Sequence, residues 1–395
     1  MRRTTRRALT NFILFGGALL FIVGFSVQSS SGKTFAWGTI RYETTASSLP
    51  KAYGSCPGLA DTGKPALVVS RVASDGDAKW LDRLSDKYHI CAYDVDGSAG
   101  GDPTQLRVPA NRGHEAMAYL TFLIDNYENL PSEGAVFVHG SRWAWHNDSP
   151  EYDNAELLAA LNTTSALAQS GYHNLRCDWS ASTCPADSQP QGSFETSLTA
   201  KLEPFNARVV SDAAMPRALL NIFGSDDSQT SHDMLGRGDA IKSQCCAQFI
   251  VARENIRQHS QAEYAALRQW LLDDGRESAP SDDRISGRIL SYVWHILFLP
   301  PQGYSPRSSA GVHEKVDLDR LNTMACPTAA ECYCRLYGRC DLRGCTEGFC
   351  QGQYTLPPDY KLPEDWASRY SDAGDEGSKH DNLKMNRRDS YSDIR

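Results

Sequence analysis

Asp94-Val95-Asp96 ends a run, His89 to Val95 (HICAYDV), that reads as a buried strand, and carboxylates two apart at a strand end project to one side. Such a pair is what a protein supplies to a divalent cation carried by a nucleotide diphosphate. The same residues ahead of Gly97 to Gly101 also read as a turn. His139-Gly140 closes a third apolar run, Gly134 to His139 (GAVFVH), where an imidazole serves either as a packed structural group or in proton transfer. Trp143, Trp145 and His146 follow at once, and indole faces suit sugar rings and core packing alike. Far downstream, one amphipathic helix expected over Arg284 to Phe298 buries Ile285, Ile289, Val293 and Ile296. Its other side aligns Arg288, Ser291 and His295 in a polar stripe beside Trp294, which is expected to face a cleft.

Several chemistries are excluded by pattern. The chain has no G-x-x-x-x-G-K-[ST] phosphate loop, no G-x-G-x-x-G after the first strand and no G-x-S-x-G nucleophile elbow. His114-Glu115 lacks the second histidine of a zinc peptidase, since Ala118 stands there. Asn111 is expected to cap the helix that follows, and Glu115 is a first-turn carboxylate favoured by the helix dipole or a general base. Cys245 and Cys246, adjacent on an expected strand, should point to opposite faces and each pair elsewhere.

The elements that would position these groups alternate. Ala66 to Arg71 (ALVVSR) reads as a strand, Lys79 to Tyr88 as a short helix, His89 to Val95 as a strand, Arg112 to Asn129 as a helix stopped by Pro131, and Gly134 to His139 as a strand. Cys246 to Val251 and Gln261 to Leu272 continue the alternation. The expected fold is α/β, a Rossmann-like, mostly parallel sheet flanked by helices, with ligands beyond the carboxyl ends of the strands.

The flanks speak of a compartment. Arg2, Arg3, Arg6 and Arg7 precede an uncharged apolar stretch, Ala8 to Val27, long enough to cross a bilayer. The positive-inside rule keeps residues 1–7 cytoplasmic and makes the chain a single-pass type II protein facing the lumen of the endoplasmic reticulum or Golgi, with lipid as a partner of its transmembrane helix. A cleaved signal peptide is the alternative. Twelve cysteines fit an oxidising lumen. Six of them lie between Cys326 and Cys350, with no paired C-x2-C spacing, so disulfides are expected there and no zinc. Asn147 and Asn162 open glycosylation sequons. Net charge of −8 and a pI near 5.7 give no global reason to bind nucleic acid. The expected layout is a tail (1–7), an anchor (8–27), a stem (28–62), a luminal α/β domain (63–325), a Cys-rich segment packed on it (326–356) and a disordered tail (357–395).

Asn111-x-Gly113-x-Glu115, YLTFLIDNYENLP, VFVHG, GYHNLRC, CCAQFIVAR and SGRILSYVWHILF, in that order over about residues 66 to 345, resemble a largely fungal family known only as domain of unknown function 3431. The resemblance implies an anchored secretory protein, and its motif layout is similar to that of nucleotide-sugar glycosyltransferases of the A-type fold. On that reading the protein transfers a sugar from a nucleotide donor, with Mn²⁺ or Mg²⁺, to a glycan or glycoprotein. Asp94 and Asp96 would hold the metal, and Glu115, His139 and His295 would be catalytic. Asn111, Trp145, His146, Arg253, Arg288 and Trp294 would bind substrate. The sequence departs from the family at Ser291, where a Glu is usual, and at Leu299, where a Gly is usual. Loss of a base at Ser291 favours the alternative, a noncatalytic membrane-anchored glycan-binding or scaffold domain.

Overall fold

The computed structural model describes residues 11–18, 34–52, 54–97, 106–224, 234–236, 238–300 and 315–355. The chain divides into two units, Met1–Gln353 and Tyr354–Arg395, and of the second only residues 354–355 are described. The tail expected from 357 lies outside the described residues.

Six strands form the main sheet: β2 (Ala66–Arg71), β3 (His89–Asp94), β4 (Leu106–Arg107), β5 (Ala135–His139), β6 (Tyr172–Asn174) and β7 (Phe249–Val251). Their order is β4-β3-β2-β5-β7-β6. The first four are parallel, whereas β7 is antiparallel to both β5 and β6. The expected α/β architecture with a mostly parallel sheet is therefore present, with one reversed strand that the sequence pattern does not announce.

Alternation along the strands feeds two apolar layers. Ala66, Val68, Tyr93, Ala135, Phe137, Phe249 and Val251 join one core cluster, which also holds residues of α2 (Glu115–Asp125), α6 (Ala207–Phe223), α8 (Gln261–Leu272), α9 (Asp283–Ser291), α10 (Trp294–Phe298) and α11 (Leu318–Ala325). Leu67, Val69, Val136, Val138 and Ile250 face the other way. They pack with Trp80 and Leu81 of a 3-10 turn and with residues of α3 (Asn154–Ala160), α4 (Thr163–Leu167) and α12 (Ala329–Tyr337). The helices α5 (Phe194–Leu202) and α7 (Arg253–Ile256) complete the set among the described residues, with α1 covering residues 11–18.

Four expectations are corrected. The expected stem is, from residue 34 onward, part of the fold: β1 (Thr34–Phe35) pairs with β8 (Val316–Asp317), Phe35 and Trp37 are buried, and Cys56 is bonded to Cys91 of β3. Its Trp and aromatic residues need a core, which a free stalk does not offer. The helix expected over 112–129 starts at Glu115, with His114 rather than Asn111 at its N-cap. The helix expected over 284–298 breaks at Tyr292–Val293 into α9 and α10. The strand expected from Cys246 begins only at Phe249, because Cys246 and Ala247 have φ of 88° and 49°, outside the extended region.

All six cysteines between Cys326 and Cys350 are in disulfides, two of them reaching outside the segment: Cys177–Cys332 and Cys184–Cys326 join Cys334–Cys340 and Cys345–Cys350. Among the described residues no helix is long and apolar enough to cross a membrane. The expected span 8–27 is described only over residues 11–18, which are helical, and the rest lies outside the described residues.

Candidate functional site

β2 and β5 are neighbours, and the chain leaves them toward opposite sides of the sheet, β3 and β4 on one hand, β7 and β6 on the other. The crevice beyond their carboxyl ends is the topological switch point, where open α/β sheets accept ligands. In register, Ser70 pairs with His139 and Arg71 with Asp94, so both strand ends present polar residues at one level.

Four groups converge there. Gly140 lies against Arg71 and Asp75 so closely that a Cβ on it would stand 2.5 Å from Arg71 Cγ and 2.6 Å from Asp75 Oδ2. The Val72 amide donates to Asp75 Oδ2 at 2.9 Å and the Ala73 amide to Asp96 Oδ2 at 2.8 Å, which pins the turn after β2 between two carboxylates. Burial pushes the Asp75 carboxyl above the usual carboxylate range, against the Val72 amide and the charges of His139 and Arg71, and the Asp96 carboxylate adds to the rise. Arg71 donates from Nη2 to the Gly76 carbonyl at 2.8 Å, while its Nε is enclosed without a partner among the described residues.

The fourth group, His139, is oriented by the reversed strand. Pairing of Phe137 with Phe249 brings the residues ahead of β7 level with the end of β5. His139 Nε2 lies 2.7 Å from the Cys246 carbonyl, and its amide donates to Gln248 Oε1 at 3.3 Å. A carbonyl only accepts, so Nε2 carries a proton, and the uncharged form of the ring has its lone pair at Nδ1. The rings of His139 and His146 are 4.4 Å apart. Burial, with His139 and Arg176 nearby, holds His146 well below the ordinary histidine range and therefore uncharged. Trp145 is 41% exposed, with its ring 5.6 Å from that of His146, while the Trp143 indole lies under the Arg142 guanidinium. Arg142 is fixed in turn by two hydrogen bonds to buried Asp153, at 2.9 and 2.7 Å.

Of the residues singled out in the sequence, His139, His146, Trp145, Asp94 and Asp96 stand at this edge. Asp94 is buried at the end of β3, Asp96 exposed just beyond it. Glu115 opens α2 half-buried, and Asn111 is exposed upstream of it. Three others are placed elsewhere. Arg253 follows β7, whose reversed direction carries its end to Ala135 at the amino edge, where the guanidinium meets Glu254 at 3.4 Å. Trp294 is a core residue, stacked on Phe298 and packed against Phe249 and Tyr119. His295 is 1% exposed, both ring nitrogens lack a partner among the described residues, and burial pushes it down to about 3. The polar stripe expected of Arg288, Ser291 and His295 is thus divided by the break between α9 and α10. Arg288 donates to the Tyr292 hydroxyl at 2.7 Å and faces Asp212 at 3.5 Å, and Ser291 donates to the Arg288 carbonyl.

Arg71, Asp75 and Gln248 escaped sequence reasoning. Arg71 and Asp75 had a signal, an arginine ending an otherwise buried strand and an Asp-Gly pair in the turn after it. Gln248 had none, because its role depends on the reversal of β7.

The model of the family described as Protein of unknown function (DUF3431) matches residues 67–335, more than half of the chain. The chain belongs to this family. The match runs from β2 through all six strands of the sheet and ends inside α12, so the switch-point residues Arg71, Asp75, Asp96 and His139 all lie within the family's domain. No curated protein and no solved structure matches the chain.

Proposed function

We propose that this member of the DUF3431 family is a membrane-anchored, lumen-facing glycosyltransferase that binds a nucleotide sugar at the carboxyl edge between β2 and β5. The observation that supports it most is the convergence of Asp75, Asp96, Arg71 and His139 at the switch point. Asp94 and Asp96 are chemically suited to a Mn²⁺ or Mg²⁺ ion, which takes one or two carboxylates from protein and the rest of its shell from phosphate and water. The His139 lone pair at Nδ1 would accept the proton of an acceptor hydroxyl as that oxygen attacks the anomeric carbon and the nucleoside diphosphate leaves. Exposed Trp145 offers the sugar a flat apolar face.

The test is release of nucleoside diphosphate from a panel of nucleotide sugars in the presence of Mn²⁺ and glycoprotein acceptor. Activity that falls at least about a hundredfold in His139→Ala supports the reading. Equal turnover by both proteins contradicts it. A second reading, a noncatalytic glycan-binding domain, is favoured by Ser291, whose hydroxyl is bonded to the Arg288 carbonyl where the family usually carries a Glu. It predicts glycan binding lost in Trp145→Ala, with no donor consumed by either protein. The anchor is tested by protease protection in sealed microsomes, which should spare everything beyond residue 28.

A further inference from the structure

Ten of the twelve cysteines are paired between distant or loop-separated positions, which leaves Cys245 and Cys246, and these are bonded to each other. The expectation that each pairs elsewhere is overturned here. Neighbours on an extended strand point apart, but Cys246 and Ala247 take positive φ, so both sulfurs turn to one side ahead of β7. That conformation is uncommon for residues with a Cβ, and of the two angles the φ of Cys246 lies inside the two-residue ring.

The ring sits on the site. The carbonyl of Cys246 receives His139 Nε2–H and so decides which nitrogen of that imidazole bears the proton. Two residues on, the Gln248 carboxamide oxygen accepts from the His139 amide and from Asn154 Nδ2 at 3.3 Å each, while its nitrogen donates to Asn147 Oδ1 at 3.0 Å. Cys245 and Cys246 are themselves half-buried, open to a small reagent, whereas the Cys177–Cys332 bridge has both residues fully buried.

We propose that Cys245–Cys246 is a reversible redox site whose partner is a dithiol reductant, and that its state positions His139. A thiolate of the dithiol attacks one sulfur of the pair and forms a mixed disulfide; its second thiol then closes the dithiol's own disulfide and releases the protein. The protein gains two electrons and two protons and ends as Cys245-SH and Cys246-SH, while the dithiol is oxidised. With the ring open, the φ of Cys246 is free to relax toward ordinary backbone angles, the Cys246 carbonyl leaves His139, and the proton is no longer held at Nε2. The oxidised form is then the one with a lone pair fixed at Nδ1. The proposal rests on the placement of His139 at the switch point, not on nucleotide-sugar transfer, and its readouts need no substrate.

The experiment titrates the intact protein with dithiothreitol and follows cysteine alkylation and carbethoxylation of histidines by diethyl pyrocarbonate, residue by residue, by mass spectrometry. Cys245 and Cys246 should be alkylated while Cys177 and Cys332 stay bonded, and over the same range His139 should react about fivefold faster, the scale of one lost hydrogen bond. Half-buried His89 is an internal standard, its Nε2 bonded to the Pro57 carbonyl. Cys245→Ser/Cys246→Ser should show the fast His139 without reductant, and Cys334→Ser/Cys340→Ser should not. The proposal is overturned if His139 reactivity is unchanged once Cys245 and Cys246 are alkylated, or if those two remain bonded until Cys177–Cys332 opens.

Discussion

Gly140 and Arg71 touch across neighbouring strand ends with no room for a single added carbon: a Cβ at Gly140 would sit 2.9 Å from the Arg71 Cα, a backbone atom that does not yield. The close approach lets the turns after β2 and β5 share one floor.

Gly140→Ala should therefore destabilise by about 1–3 kcal/mol, the usual cost of overpacking, and should also displace Asp75. Gly275, with nothing within 4 Å, is the control, and Gly275→Ala should leave the midpoint unchanged or slightly raised. Chemical denaturation of the two variants measures the difference.

His295 is expected to be a stability residue rather than a catalytic one. Its pKa in the fold, about 3, lies below the ordinary 6.5, so the stability tied to its neutral form is complete above pH 6.5 and is lost as pH falls toward 3. The loss amounts to up to about 5 kcal/mol. His295→Leu removes two unpartnered buried nitrogens and should flatten that acid limb, at equal or higher stability at pH 7. An acid limb of the same slope in the variant would show that other groups produce it.

The parallel core was legible because Leu67 to Val69 and Val136 to Val138 are apolar on both faces, and only a sheet covered twice needs that. The reversal of β7 was not legible. Phe249 to Val251 is short, apolar and indifferent to direction, and with it went the misplacement of Arg253, whose side of the sheet depends on that direction. The break between α9 and α10 was hidden for a related reason: Tyr292 and Val293 keep the helical period while leaving the helix, so His295 and Trp294 passed for surface residues although both are buried. Asp75 was overlooked because an Asp-Gly turn explains itself locally and gives no sign of the strand beside it.

Tyr333 of α12 donates its hydroxyl to buried Asp148 at 3.0 Å, while the Cys177 and Asp178 amides bind the same carboxylate at 2.6 and 3.2 Å. Tyr333→Phe should cost about 1–3 kcal/mol, and Cys332→Ser, which opens the bridge to Cys177, about 2–5 kcal/mol. Both loosen the same contact, so the double variant should cost measurably less than the sum in a double-mutant cycle.

The two sequons separate cleanly. Asn147 is fully buried, and its amide nitrogen donates to the Arg142 and Tyr152 carbonyls, so no glycan can be carried there in the folded protein. Asn162 is exposed at the N-cap of α4, where only its oxygen is engaged, by the Ser165 amide. If the domain faces the lumen, peptide mapping after endoglycosidase treatment should find Asn162 modified and Asn147 bare. An unmodified Asn162 in protein made through the secretory pathway would contradict that placement.

The most direct test of the central claim is thermal unfolding of the wild-type protein with and without a nucleotide sugar, each with and without Mn²⁺, since a ligand that binds only the folded state raises the midpoint by mass action. At a hundred times the dissociation constant the stabilisation is about 2.7 kcal/mol. The account predicts a rise of the midpoint that is larger with Mn²⁺, absent in Asp96→Asn and reduced in Asp75→Asn. No rise with any nucleotide sugar, or an equal rise in all three proteins, would contradict a donor site at the carboxyl edge between β2 and β5.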